Sequence, residues 1–186
     1  MMHYKYLDIN TDYDLLKAFT RRCAFLQYNN NNSIDRLGLN RHNQSKFILG
    51  IQNNQICSFF GCHSMHYESE YVWRVGYRAV NLCNEINFNK GGAISIALLM
   101  LWIKKTYGEC RYITTTNTPN RSTETAGKSH RVDKVFRRKS YLTLLKEDYY
   151  LNGTYQTIFE VDYEYFINNF NKYRHQHTFE EDIICQ

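Results

Sequence analysis

Ser129, His130 and Asp133 are the residue types of a nucleophile triad, brought close together in KSHRVDKVFRRK (128–139), but their spacing works against that chemistry. Successive residues on a helix point about 100° apart, so a serine hydroxyl and the next residue's imidazole do not readily meet. The hydroxyl suits another task. A helix beginning near Ser129 offers unpaired N–H groups, and Ser129 can cap them or touch a phosphate there. Lys128, Arg131, Lys134 and Arg138 recur at three- or four-residue spacing, a positive stripe for an anion or for solvent. Cys62, His63 and His66 are metal-ligand types. Alternation along a strand sends Cys62 and His63 to opposite faces, however, and no second Cys/His pair at zinc spacing follows, so no metal is expected. Arg74, Arg78 and Arg111 among aromatic residues imitate a stacking platform for nucleic acid, yet the core of a half-buried sheet needs the same aromatics, so nucleic acid is not the expected partner.

The elements that must position these groups read in a definite order. Residues 3–9 form a short strand, and Thr11, three residues before Asp14, opens a helix whose face is Leu15, Leu16, Phe19, Cys23 and Leu26. The Asn29 to Asn32 run ends it, and a second short helix fits 34–39. KFILGIQ and QICSFFGC flank Asn53-Asn54, a dipeptide suited to a tight hairpin, and YVWRVGYRAV (71–80) completes a three-strand meander. Gly91-Gly92 leads into AISIALLMLWIKKTYG, apolar on nearly every side and therefore deeply buried, with Gly108 at its end. CRYITTTN (110–117) is the next strand. The long crossover makes it a parallel neighbour of 71–80. A polar loop and the helix of KSHRVDKVFRRK follow, then a hairpin of YLTLLKEDYY and TYQTIFEVD around Asn152-Gly153, and Asp162 caps a last helix carrying Tyr163, Phe166, Ile167, Phe170 and Tyr173.

A chain of 186 residues with 43% hydrophobic content builds one core that buries roughly 70% of the unfolded surface, so one domain is expected over 3–174, with 175–186 as a flexible tail. The net charge of +5 suits a phosphorylated ligand and falls short of the dense positive face of a dedicated nucleic-acid binder. Six cysteines without a C-x-x-C pair, and an amino terminus MMHYKYLDIN without an apolar stretch, point to free thiols in a reducing, cytoplasmic setting. The run from Ala93 to Ile103 is shorter than the ~20 residues a bilayer needs.

That order of elements, over about residues 3–161, resembles the GNAT family of acyl-CoA-dependent N-acyltransferases. The resemblance implies an α/β fold: a single domain with a mixed, mostly antiparallel sheet of about seven strands flanked by helices. In the family a Q/R-x-x-G-x-G/A turn wraps the pyrophosphate of coenzyme A with backbone N–H groups. Phe88-Asn89-Lys90-Gly91-Gly92-Ala93 stands at that place, with Gly91 and Ala93 at the small positions and Phe88 where Gln or Arg is usual. Lys90 supplies a cation instead. The family's splayed fourth strand pairs with the pantetheine amides through its main chain, which by order assigns Arg78, Ala79, Val80 and Asn81. Asn117 matches the Asn closing the fifth strand, and Ser129 falls where a phosphate contact fits.

The family's general acid, a Tyr in L-Y-x-x-x-G-F, is replaced by Phe136 in Val135-Phe136-Arg137-Arg138-Lys139-Ser140-Tyr141. The candidates for catalysis are therefore Asn117, Glu85 and His66, with His63, Glu68 and Glu70 as further bases bordering an amine cleft. The activity implied is acetyl transfer from acetyl-CoA, as co-substrate, to an amine-bearing small molecule or peptide by direct attack. The alternative is a GNAT-like binding or structural module with catalysis lost, of the kind a phage or other virus could encode.

Overall fold

The structure is a computed structural model that describes residues 1–22, 44–76, 79–80, 88–118, 133–151 and 153–184, with backbone alone at 20–22, 79–80, 88–91, 117, 182 and 184. The chain forms β1 (Met2–Tyr6), α1 (Ile9–Arg22), β2 (Ser45–Gln52), β3 (Gln55–Tyr67), β4 (Glu70–Val75), β5 (Ala79–Val80), α2 (Phe88–Tyr107) and β6 (Arg111–Asn117). After these come β7 (Leu142–Leu151), β8 (Thr154–Val161), α3 (Tyr163–Tyr173), β9 (His177–Phe179) and the short α4 (Glu181–Ile184). One nine-stranded sheet runs in the order β7, β8, β6, β4, β3, β2, β1, β9, with β5 beside β3. Most pairs are antiparallel; β4 with β6 and β1 with β9 are parallel. The α/β architecture is the one expected, with the strand anticipated at 71–80 divided into β4 and β5 and with β9 as an addition.

Side-chain alternation divides the core between the two faces of the sheet. Trp73 and Val75 of β4 and Tyr112 of β6 meet Ile94, Ala97, Leu98 and Met100 of α2 on one face. On the other, Leu49 and Phe59 pack against Leu16 and Phe19 of α1, while Val72, Ile113 and Ile158 form a third cluster. The apolar residues that encircle α2 follow from its position, since α2 lies between the sheet and α3. Even so, no helix among the described residues is long and apolar enough to cross a membrane.

The turns follow local chemistry. Asn53 and Asn54 take φ of 51° and 57°, as a primed hairpin turn requires, and Gly153 takes +84° in the β7–β8 turn. Asp162 precedes α3 in an extended conformation and accepts a hydrogen bond from the Tyr165 N–H at 3.1 Å. Asp162→Ala is expected to cost about 0.5–2 kcal/mol, read as a lowered midpoint of urea unfolding.

Two expectations need correction. The segment expected as a flexible tail from 175 is held: β9 pairs in parallel with β1, Phe179 stacks on Tyr4 at 5.7 Å, and Ile183 is buried. The open hydrogen-bonding edge of β1 and the exposed side of Tyr4 supply the partner that the sequence alone does not reveal. The buried helix also begins at Phe88, a turn before the paired glycines rather than after them.

Candidate active site

The ladder between the parallel strands β4 and β6 covers only Val72 to Arg74 against Arg111 to Ile113 among the described residues. Past that point the two strands keep different company. β6 continues with β8, pairing Thr114 with Phe159 and so on to Asn117 with Gln156. The other strand stays with β3: Val75 lies opposite Cys62, the Gly76 N–H donates to the Gly61 carbonyl at 3.2 Å, and Ala79 lies opposite Phe59. Between those pairs β3 carries Phe60 and Gly61, and Gly76 is the residue described on the chain that faces them. Gly76 has φ of +102°, a conformation that side chains with a Cβ rarely adopt. The sheet therefore opens between β4–β5 and β6, with Gly76 at the apex.

The start of α2 lies at the same end. A Cβ on Gly92 would stand 3.1 Å from Cζ of Phe60, the residue between Gly61, which accepts from the Gly76 N–H, and the β5 partner Phe59. Gly92 is thus a point of close approach between helix and sheet. Because α2 begins at Phe88, the N–H groups of Phe88, Asn89 and Lys90 are the ones the helix leaves unused, at the positive end of its dipole. Gly91, Gly92 and Ala93 fall inside the first turns, so their contribution is small size rather than a free turn.

Across the opening, β6 presents Thr114, Thr116 and, just beyond its end, Thr118, all buried. Thr116 Oγ1 donates to Asp133 Oδ1 at 3.4 Å, and Thr118 Oγ1 lies 3.4 Å from Thr157 Oγ1. Asp133 is the first described residue of a helical turn at 133–136, and its other oxygen accepts from Arg137 Nε at 2.7 Å. Arg137 also reaches Glu147 Oε1 on β7 at 2.6 Å. The Asp133 carboxylate and then that of Glu147 push the guanidinium up from its ordinary range, so the cation that ties this turn to the sheet stays charged. Phe136 packs edge-to-face on Phe159 at 5.7 Å, which puts an apolar ring where the family resemblance implies a phenol.

The sequence-predicted residues divide accordingly. The β5 residues Ala79 and Val80, the first turns of α2 with Lys90, Gly91, Gly92 and Ala93, and the end of β6 at Asn117 border the opening. Arg78, Asn81, Glu85 and Ser129 lie outside the described residues. His66 does not join the group. It sits opposite Tyr71 in the β3–β4 hairpin, five residues along β3 from Gly61, about 16 Å away at the rise of a strand. Glu68 and Glu70 share that end, ion-paired with Lys146 at 3.0 Å and with Arg111 at 2.9 Å. His63 is buried opposite Arg74, on the face away from α2. Gly76, Thr114 and Asp133 have positions at the opening that sequence reasoning did not assign. A lone glycine inside YVWRVGYRAV is the one signal that marks such a break in a strand.

An open depression of about 860 Å³ lies at the opposite end of β6, lined by Lys104, Glu109, Arg111, Glu160 and Tyr163 among others. Its charges are engaged with each other: Lys104 with Glu109 at 2.7 Å, and Arg111 with Glu160 at 2.6 Å. Neither Gly76 nor the described helix start borders it.

No family model and no curated protein matches the sequence. Solved structures do match the fold. One described as a GNAT-family acetyltransferase from Desulfovibrio desulfuricans has a TM-score of 0.57 and 10% identity, over 88% of this chain and 99% of that one. An acetyltransferase from Thermus thermophilus has a TM-score of 0.54 and 9% identity, over 86% and 96%. A GCN5-related glucosamine N-acetyltransferase region in a fungal multi-domain GH3 β-N-acetylglucosaminidase has a TM-score of 0.56 and 11% identity, over 78% of this chain and 17% of that much longer one. The chain has the fold of the GNAT acetyltransferases, with its central sheet opened at Gly76.

Proposed function

We propose that the protein transfers an acetyl group from acetyl-CoA to an amine, with the thioester lying in the opening between β4–β5 and β6. The observation that carries this reading is the coincidence of two features at one end of the molecule: a parallel strand pair whose described ladder ends beside Gly76, and the N-terminus of the buried helix α2 packed beside it through Gly92. A separated strand offers main-chain amides to the pantetheine, here through Arg78, Ala79, Val80 and Asn81. A helix N-terminus offers N–H groups and a positive dipole to the pyrophosphate, here ahead of Gly91, Gly92 and Ala93, with Lys90 and Ser129 as further phosphate contacts.

In the reaction the amine nitrogen attacks the thioester carbonyl carbon, the C–S bond breaks, and the amine's surplus proton passes to a base or to water. Glu85, in the segment joining β5 to α2, is the candidate base, and the main chain at Asn117 helps hold the acyl group. Direct attack fits the thiols better than an acyl-cysteine intermediate. Of the described cysteines, Cys57 and Cys62 are buried, and burial holds the Cys62 thiol far above its usual range. Burial, followed by the neighbouring Glu109 charge, also raises Cys110.

One observation favours a second reading, a module that binds coenzyme A without turnover: Phe136, packed on Phe159, has no proton to give a leaving thiolate. Calorimetric titration with acetyl-CoA, followed by mass spectrometry of an amine panel, separates the two. Saturable binding with N-acetylated product is expected. Binding without product supports the module, and no binding overturns both.

A further inference from the structure

We propose that the Thr114 hydroxyl takes the place of the absent phenol, donating a hydrogen bond to the coenzyme A sulfur as the thioester C–S bond breaks; this rests on the acyl-CoA reading above. Three observations meet at this residue. Thr114 is the first residue of β6 beyond the β4–β6 ladder, and it is 6% exposed. Its Oγ1 lies 3.3 Å from the point where a Cβ on Gly76 would stand, so the hydroxyl is turned into the gap between the separating strands. It also differs from its neighbours in having no side-chain hydrogen bond among the described residues: Thr115 bonds to Gln156, Thr116 to Asp133, and Thr118 meets Thr157.

A further observation concerns the missing phenol. Thr114 pairs across the sheet with Phe159, and Phe159 is the ring on which Phe136 packs. Thr114 and Phe136 therefore adjoin the same aromatic ring. Only Thr114 carries a donor.

The chemistry balances without a proton lost from the threonine. The new bond is N–C, the pair from the broken C–S bond goes to sulfur, and the amine's proton leaves through base or water. An aliphatic hydroxyl is a far weaker acid than a thiol, so it stabilises the thiolate by hydrogen bonding and keeps its own proton, and solvent protonates the thiolate afterwards. A hydrogen bond to a charged group of this kind is worth roughly 10–100-fold.

The test compares the affinities of coenzyme A and desulfo-coenzyme A, by calorimetry, across the titration range of the thiol. In the wild-type protein coenzyme A should gain about tenfold over its desulfo analogue as the thiol ionises. Thr114→Ser should keep that gain. Thr114→Val, which has the same shape without the hydroxyl, should lose it while binding desulfo-coenzyme A unchanged; Thr114→Ala serves the same purpose should the valine variant not fold. A gain retained in the valine or alanine variant, or no gain in the wild type, overturns the role of Thr114 and leaves the acyl-CoA reading standing. Failure of both ligands to bind the wild type overturns that reading, and this proposal with it.

Discussion

Gly76→Ala is expected to weaken acetyl-CoA binding by more than about tenfold and to cost at least about 1–2 kcal/mol of stability, the penalty for forcing a Cβ into a left-handed backbone conformation. The two effects share one cause. At φ of +102° a side chain is strained whatever the space around it, and its Cβ would also stand 3.3 Å from the Thr114 hydroxyl, inside the gap. The chain relieves the strain by shifting position 76 out of its left-handed conformation, which narrows the opening. Urea unfolding reads the stability loss and calorimetry the binding loss. A variant that loses stability but binds acetyl-CoA with wild-type affinity would show that the conformation of Gly76 does not shape the binding groove.

The second large effect is structural. Trp73→Ala should destabilise the fold by about 3–5 kcal/mol, because a fully buried indole leaves a cavity that its neighbours fill only in part. Trp73 sits on β4 opposite Tyr112 within the short parallel ladder, and its ring packs against Tyr107 at 4.9 Å and Trp102 at 5.7 Å. It ties the closed end of the strand pair to α2, and the helix start at the other end depends on that anchorage. A shift of the urea midpoint worth less than about 1 kcal/mol would mean that the cluster tolerates the loss and that the ladder does not depend on it. By contrast, the nearby ion pairs of Arg111 with Glu70 and Glu160 are about one-third exposed at the arginine and belong to the class worth about 0–1 kcal/mol.

What the sequence shows and what it hides follow one physical division. Local chemistry is legible. Asn53-Asn54 and Asn152-Gly153 announce their hairpins, Asp162 its cap, and the apolar circumference of α2 its burial. The parallel relation of β4 and β6 follows from the long crossover between them. Features that depend on register are not legible. YVWRVGYRAV reads as one strand, and the change at Gly76 becomes visible only once β3 and β6 supply competing partners for its two edges.

The glycine pair before α2 is a different case. Glycine's poor helix propensity reads as a turn, yet Gly92 lies within α2, where a Cβ would stand 3.1 Å from the Phe60 ring and a small residue suits the close approach. In the run Thr114-Thr115-Thr116 all residues are of one type, so alternation predicts two faces but not which hydroxyl meets the gap. His66 is a candidate by its chemistry alone, and its strand position carries it to the far hairpin.

Everything functional turns on where the cofactor goes, and the molecule offers two ends to choose between. Hydrogen exchange followed by mass spectrometry, with and without acetyl-CoA, distinguishes them directly. The prediction is slowed exchange in peptides covering 74–80, 88–93 and 113–118, the borders of the opening at Gly76. Slowed exchange confined to 104–111 and 160–164, around the charged depression at the other end of β6, or no change in any peptide at saturating acetyl-CoA, would contradict it.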